Sequence, residues 1–105
     1  MRTYKAVFSD IDGTLLTSEH IVSTATIEAI ASLQDKNIPF VIISSRSASC
    51  IYPILEKHHF QCPIVACGGA WIEDMNGRIL SNEGMSRQTA ATVIEFMTEK
   101  NFDLA

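Results

Sequence analysis

Two aspartates, Asp10 and Asp12, are separated by one residue at the end of a short apolar run. A carboxylate at such a place can attack phosphorus and form an aspartyl phosphate, while a second carboxylate carries the proton of the leaving group. Carboxylate oxygens also suit Mg²⁺, which leaves coordination positions open for the phosphate of a substrate. The pair therefore indicates a catalytic and metal-binding site for phosphoryl transfer. The simpler interpretation is a strand followed by an Asx turn.

Gly13 and a later cluster, Ser44-Ser45-Arg46, supply the groups that we expect to bind phosphate. Gly13 permits a sharp backbone turn beside the two carboxylates. The cluster follows the apolar run 38–43, and a hydroxyl at the carboxyl end of a strand can hydrogen-bond a phosphoryl oxygen. A helix beginning just after the cluster adds amide donors and a favourable dipole. Alternatively, the serines only cap that helix and Arg46 pairs with a surface acid.

The hydrophobic pattern predicts the elements that hold both groups of residues. Tyr4–Ser9 is short and rich in β-branched and aromatic residues, as in a strand covered on both faces. A helix is predicted to begin at Ser23 or Thr24 and to end at Asn37. A second apolar strand, 38–43, follows, and such a unit almost always makes a right-handed crossover between parallel strands. The carboxyl ends of both strands should therefore share one edge of a sheet.

After residue 43 the predicted helices and strands continue to alternate, and a hairpin then interrupts this pattern. Asn76-Gly77, between two apolar runs, is a strong hairpin signal. Pro53 must either start the helix in which it lies or kink it. In chain order the predicted elements are a helix over 47–59, a strand over 63–67, hairpin strands over 70–73 and 78–81, a helix from Ser86 to Asn101, and the start of a strand over 102–105.

Composition excludes several classes of protein. The formal net charge is −4 and no cluster of Lys and Arg occurs, which argues against nucleic-acid binding. The N-terminus lacks a signal-peptide pattern and no apolar run approaches membrane-spanning length, so we expect no membrane association and a cytoplasmic location. Three cysteines without close spacing argue against a disulfide framework or a zinc site, and they are predicted to be small buried thiols: Cys50, Cys62 and Cys67.

The string from Tyr4 to Leu16 resembles the first motif of the haloacid dehalogenase superfamily, in the form found in Cof-like sugar-phosphate phosphatases. The resemblance implies that Asp10 is the nucleophile and a Mg²⁺ ligand. It also implies that Asp12 is the general acid/base, with its backbone carbonyl on Mg²⁺. Ser44 would take the phosphate-binding role of the family's second motif, although Ser45 stands where the family usually has Gly. Gly68 replaces an Asn that the family often carries after its third strand, so a substrate contact from that side chain is absent.

The resemblance covers essentially the whole chain and implies an α/β fold. This is a Rossmann-like core with three parallel strands plus a β-hairpin, followed by the first helix of an α/β cap. Residues 1–80 would be the N-terminal part of the core and 81–105 the beginning of the cap. The family's catalytic Lys and its later acidic metal-binding motif do not occur, so we expect the chain alone to be impaired. Its first strand would be an unprotected sheet edge through which the chain could associate with itself.

The implied function is a Mg²⁺-dependent phosphatase of small phosphorylated metabolites, with sugar phosphates as the expected class. The alternative is a non-catalytic remnant that binds phosphate or a protein partner. A response-regulator receiver domain also has about this length, a parallel sheet and an aspartyl phosphate. Receivers carry the acceptor Asp after the third strand, whereas the third strand here ends in Cys67-Gly68-Gly69. That class is therefore disfavoured.

Overall fold

A computed structural model describes residues 4–101 of the chain. Five strands form one mixed sheet in the order β1-β2-β3-β4-β5, with the first three parallel and the last two antiparallel. This confirms the predicted α/β class, with a hairpin added to a parallel sheet. In chain order the elements are β1 Val7–Ser9, α1 Thr24–Asp35, β2 Phe40–Ile43, α2 Ala48–His58, β3 Ile64–Ala66, β4 Trp71–Glu73, β5 Ile79–Asn82 and α3 Arg87–Glu99.

The helix ends agree with the local signals. Ser23 and Ser86 are N-caps, and each hydroxyl accepts a hydrogen bond from the backbone N–H three residues later, at 3.2 and 3.1 Å. Asn37 and Asn101 follow α1 and α3 in the left-handed region, with φ of 55° and 58°. Pro53 lies inside α2, which begins five residues earlier at Ala48, so the proline does not start the helix.

The first two strands are shorter than predicted. β1 begins at Val7, whose N–H donates to the carbonyl of Pro39 at 2.8 Å. Pro39 has no backbone N–H and cannot donate a further hydrogen bond to β1, so β2 begins at Phe40. The predicted hairpin is confirmed, and Asp74 organises its loop by accepting hydrogen bonds from the N–H groups of Asn76 and Arg78. The predicted strand start at 102–105 lies outside the described residues.

The core lies around β2 and beneath the loop that follows β1. Phe40, Val41 and Ile42 of β2 are buried, since this strand has neighbours on both sides. Ile11 and Leu15, on either side of Asp12, are buried in one cluster with Phe40 and Ile42. The other members of the cluster are Leu16, Val22, Ile30, Ile51, Cys62, Ile64 and Ala66.

Two surfaces of the described chain remain apolar and exposed. β1 pairs with β2 alone, and Phe8 in β1 is 61% exposed. A groove of about 470 Å³ lies along β1 and α1, lined by residues that include Val7, Phe8 and Ala29. The helix α3 carries no buried residue, and Ile94 on it is 53% exposed. No helix within residues 4–101 is both long enough and apolar enough to cross a membrane.

The prediction of three buried thiols is wrong for two of them. All three cysteines are free, but only Cys62 is buried, whereas Cys50 and Cys67 are exposed. Cys50 lies in the first turn of α2, and Cys67 adopts a φ of 52° where the chain leaves β3. Cys50, at the start of α2, and Cys67, just after β3, both lie outside the core cluster. Burial raises the pKa of the Cys62 thiol to about 11.

Candidate active site

Asp10 is the first residue after β1, in an extended conformation. Its carbonyl oxygen accepts hydrogen bonds from the Ser9 hydroxyl at 2.8 Å and from the Leu15 N–H at 3.2 Å. Its Oδ1 accepts from the N–H of Ile11 at 2.8 Å. These contacts hold the backbone and one carboxylate oxygen, and the side chain as a whole remains exposed. The second oxygen has no donor among residues 4–101, so Asp10 can present it to a substrate.

The loop after Asp10 is a single wide turn. The N–H of Leu16 donates to the carbonyl of Ile11 at 2.9 Å, five residues back, and the buried side chains at both ends anchor the turn to the core. Asp12 is extended, whereas Gly13 has a φ of 76°. A Cβ on Gly13 would meet no atom within 4 Å. Glycine is therefore favoured at this position by the left-handed backbone conformation and not by a lack of space. The turn places the Asp12 side chain on the exposed surface.

Ser44 lies at the same edge of the sheet as Asp10. The parallel register pairs Ser9 with Ile42, so β1 and β2 end within two residues of each other. Ser44 is buried, and its hydroxyl oxygen accepts from the N–H of Arg46 at 3.0 Å. The hydroxyl proton is therefore still available to an anion. No hydrogen bond among the described residues joins Ser44 to Asp10.

The alternative interpretation, in which the serines only cap the helix α2, agrees with the structure only in part. The N-cap of α2 is Ser47, which forms no side-chain cap; its hydroxyl contacts Ser49 and Cys50 instead. The side chain of Ser45 is exposed in the loop before it. The loop is tied to the one after β3, because the N–H of Cys67 donates to the carbonyl of Arg46 at 2.8 Å. The fixed backbone leaves the predicted phosphate-binding residues at one edge of the sheet.

Arg46 and Asp12 form a two-point ion pair. Arg46 Nε donates to Asp12 Oδ2 at 3.0 Å, and Nη2 donates to Oδ1 at 2.5 Å. Hydrogen bonding from Arg46, reinforced by its charge, lowers the pKa of the Asp12 carboxyl, and the same contact raises the pKa of Arg46. The predicted surface acid for Arg46 is therefore Asp12 itself. Both side chains are substantially solvent-exposed, at 34% for Arg46 and 54% for Asp12.

The oxygen donors at this edge fit Mg²⁺ in type but are few. No group of three or more His, Cys, Asp or Glu residues that could hold a metal ion occurs within the described part of the chain. The Asp10 carboxylate and the Asp12 backbone carbonyl are hard oxygen donors, as Mg²⁺ requires. Mg²⁺ commonly takes one or two carboxylates and completes its shell with water and substrate phosphate. The residues present can supply part of such a site.

Sequence reasoning missed a buried carboxylate away from this edge. Glu73 in β4 is buried, and its Oε1 accepts from the Trp71 indole N–H at 2.7 Å and from the Tyr52 hydroxyl. The hydrogen bond to Glu73 raises the pKa of Tyr52, with burial as a further cause. Trp71 and Glu73 are two residues apart in a strand and so share a face, which is a usable signal. Nothing local points to Tyr52, which lies in α2.

The cavities of the described chain do not coincide with the aspartates. A cavity of about 590 Å³ lies near the opposite edge of the sheet, where β2 and β3 begin, and is lined by residues that include Asn37, Pro39, Phe40 and Pro63. None of the predicted site residues lines it. The aspartate edge is the candidate active site, because phosphoryl transfer requires the hydrogen-bond donors and charges that are found there.

Comparison with known proteins identifies the protein family to which this chain belongs. A sequence profile of the haloacid dehalogenase-like hydrolases matches residues 7–105. The chain belongs to that family of hydrolases, and the resemblance found from the motifs is confirmed.

Individual relatives are similar over most of this chain but are much longer. A Haemophilus influenzae protein, named provisionally as a phosphatase, is 47% identical over 73 residues, which is 70% of this chain and 28% of that protein. The Bacillus subtilis protein YwtE, named 5-amino-6-(5-phospho-D-ribitylamino)uracil phosphatase, is 29% identical over 92% of this chain and 33% of its own. The solved structure of a haloacid dehalogenase-like hydrolase from B. subtilis superposes with a TM-score of 0.87 at 28% identity, covering 92% of this chain and 34% of that one. The chain therefore spans about a third of the length of these relatives.

Proposed function

We propose that this chain is the part of a Mg²⁺-dependent phosphatase that supplies the nucleophile, with small phosphorylated metabolites as substrates. The observation that carries the proposal is the Asp10-to-Gly13 turn at the carboxyl edge of the parallel sheet, beside Ser44. Membership of a hydrolase family supports it, as do relatives that are named as phosphatases.

The proposed reaction has two steps. A carboxylate oxygen of Asp10 attacks phosphorus, and the bond from phosphorus to the alcohol oxygen breaks as that oxygen takes a proton from Asp12. A water molecule then attacks the phosphorus of the aspartyl phosphate and gives a proton to Asp12, which releases inorganic phosphate and restores Asp10. Mg²⁺, when bound, would offset the negative charge of the phosphoryl group. Ser44 and the amides near Gly13 would hold the phosphoryl oxygens, with Ser45 and Arg46 at the same edge.

We propose sugar phosphates as the substrate class. The name of YwtE specifies a compound with a phosphorylated sugar-alcohol chain, which supports this choice. We also propose that residues 81–105 begin a cap domain. The amphipathic helix α3 supports this domain boundary, because it stands beyond the sheet without a buried residue. The net charge of −4 and the absence of a basic cluster favour a small-molecule partner over nucleic acid, and we retain a cytoplasmic location as a proposal.

The chain alone is proposed to be a weak enzyme. The family resemblance implies a Lys and a later acidic metal-binding motif that do not occur among these 105 residues. Removing one electrostatic group from such a site typically costs about 10²- to 10³-fold in rate. A non-catalytic remnant that binds phosphate or a protein partner, and that retains the Asp10 motif by descent, is the second candidate.

Self-association is a further part of the proposal. β1 has one sheet neighbour, and the exposed Phe8 lies beside the apolar groove along α1. An unpaired strand edge is a template for pairing with another chain. We expect dimers or larger species in sedimentation at micromolar concentration, and a Phe8→Lys variant should shift the distribution towards monomer. A monodisperse monomer for the unmodified chain would contradict this.

The experiment for the phosphatase proposal is Mg²⁺-dependent hydrolysis of an aryl phosphate by the 105-residue chain. Asp10→Asn should abolish the activity, whereas Asp35→Asn, an exposed aspartate at the end of α1, should leave it unchanged. Chelation of Mg²⁺ should have the same effect as Asp10→Asn. Equal rates for the unmodified chain and Asp10→Asn would instead favour the non-catalytic remnant.

A further inference from the structure

We infer that Arg46 is a positioning residue: its guanidinium holds the Asp12 side chain in place and keeps that contact when a phosphoryl anion occupies the site. This inference rests on the proposed function for the role of Asp12. It assigns Arg46 a task that differs from direct phosphate binding, which was the expectation from its place after Ser44.

The first support is the geometry of the pair. Arg46 Nε and Nη2 donate to the two different oxygens of Asp12, at 3.0 and 2.5 Å. Such a two-point contact between a planar guanidinium and a carboxylate fixes orientation as well as distance. Lysine carries a compact charge and cannot reproduce it. The pair therefore restricts the rotation of the carboxylate, which a single-point contact would not.

The second support is that the backbones of both partners are anchored. The N–H of Arg46 donates to Ser44 Oγ at 3.0 Å, and its carbonyl accepts from the N–H of Cys67 at 2.8 Å. Asp12 lies between Ile11 and Leu15, which are both buried in the core. The ion pair thus connects two fixed loops, one after β1 and one after β2. It stabilises a defined distance across the edge of the sheet.

The third support is the number of donors on the guanidinium. Arginine has five N–H groups, and the contact with Asp12 uses one on Nε and one on Nη2. Both N–H groups of Nη1 and one of Nη2 remain. A phosphoryl anion in the site therefore need not displace Asp12 from Arg46, and the ion pair can persist when the site is occupied.

The test compares two substrates with different leaving groups. An alkyl phosphate needs a proton on its departing oxygen far more than a nitrophenyl phosphate does, because the alkoxide is the stronger base. If Arg46 positions Asp12, Arg46→Gln should lower kcat for the alkyl phosphate by about 10²-fold or more, a typical general-acid contribution, and lower it much less for the aryl phosphate. KM should change little for either substrate. Arg46→Lys should fail to restore kcat.

The control is Arg78→Gln, in the hairpin loop, which should behave as the unmodified chain. Two results would overturn the inference. One is an equal loss on both substrates with a raised KM, which is the signature of a phosphate-binding residue. The other is full rescue by Arg46→Lys, which would show that charge alone suffices.

A second measurement does not need activity. In the ¹⁵N-labelled chain, the Nε–H resonance of Arg46, assigned from its loss in Arg46→Lys, should exchange slowly with water and persist when inorganic phosphate and Mg²⁺ are added. Asp12→Asn should restore fast exchange. Fast exchange in the unmodified chain, or loss of protection on adding phosphate, would overturn the inference. If the chain hydrolyses neither substrate, the phosphatase proposal fails for this chain, and the resonance still decides whether Arg46 holds Asp12.

Discussion

The two halves of the described chain differ sharply in how they are held. The segment from β1 to β3, residues 7–66, contains every buried apolar residue found within residues 4–101. The segment from β4 to α3, residues 71–99, contains one buried residue, the charged Glu73. The first segment is stabilised mainly by apolar burial. The second is attached through sheet hydrogen bonds, one polar contact to α2, and the half-buried Trp71, which packs against the core.

This difference follows from the order of the sheet. β2 has strands on both sides and contributes three buried residues, whereas β5 is a sheet edge and α3 follows it without covering the core. The candidate site lies on the first segment, where Ile11 and Leu15 anchor the turn after Asp10 to the core. The two carboxylates of the candidate site thus lie on the segment that contains the buried core.

The largest expected effect is the loss of a core side chain. Ile42→Ala removes a fully buried side chain in β2 and should lower the free energy of unfolding by about 2–5 kcal/mol. Ile94→Ala in α3 should change it by less than about 0.5 kcal/mol, because the side chain is exposed. Urea denaturation followed by circular dichroism measures both. Equal losses would show that α3 is packed in solution and would break the comparison.

A somewhat smaller effect concerns the buried thiol in the first segment. The folded pKa of Cys62 is about 11, above an ordinary value near 9. The unfolded thiol therefore ionises first, and the free energy of unfolding should fall as pH rises from about 9 to about 11, by at most about 2–3 kcal/mol. Below that range Cys62 should contribute no pH dependence. Denaturation at several alkaline pH values should show the fall in Cys50→Ala but a smaller one in Cys62→Ala.

The polar attachment of the second segment gives a third prediction. Glu73→Gln removes a charged acceptor for Tyr52 and Trp71 and should lower the free energy of unfolding by about 1–3 kcal/mol. The pKa of Tyr52 should fall towards its ordinary value, since Glu73 is what raises it most. Ultraviolet titration of the phenol measures that shift. Glu95→Gln, an exposed change on α3, is the control, and an unmoved tyrosine titration in Glu73→Gln would contradict the contact.

The smallest effect compares two identical helix caps. Ser23→Ala removes the cap of α1, which buries Ile30, and should lower the free energy of unfolding by about 0.5–2 kcal/mol. Ser86→Ala removes the equivalent capping hydrogen bond from α3. Because α3 has no buried residue, this helix should fray locally without a change in global stability. Hydrogen exchange of the helix amides distinguishes local from global loss. A matching global loss for both caps would mean that the two segments unfold as one unit.

Part of the candidate site was accessible from the sequence. The aspartates, Gly13 and the Ser44 cluster were located because each follows an apolar strand, and the carboxyl ends of parallel strands meet at one edge. Their individual roles remain predictions. The partner of Arg46 was foreseen only as an unspecified surface acid. Its identity depends on how the loop after β1 approaches the loop after β2, across 34 positions of sequence.

The sequence by itself determined the family, the order of strands and helices, and the helix ends at Ser23, Asn37, Ser86 and Asn101. These features depend on groups within a few residues of one another, or on a motif short enough to be recognised directly. The tertiary structure alone decided that Arg46 holds Asp12, that Glu73 joins β4 to α2, and that Cys50 and Cys67 are exposed. The two contacts join residues that are distant in the chain, and the exposure of a side chain depends on what packs around it. Both therefore depend on strand register and on the packing of whole elements.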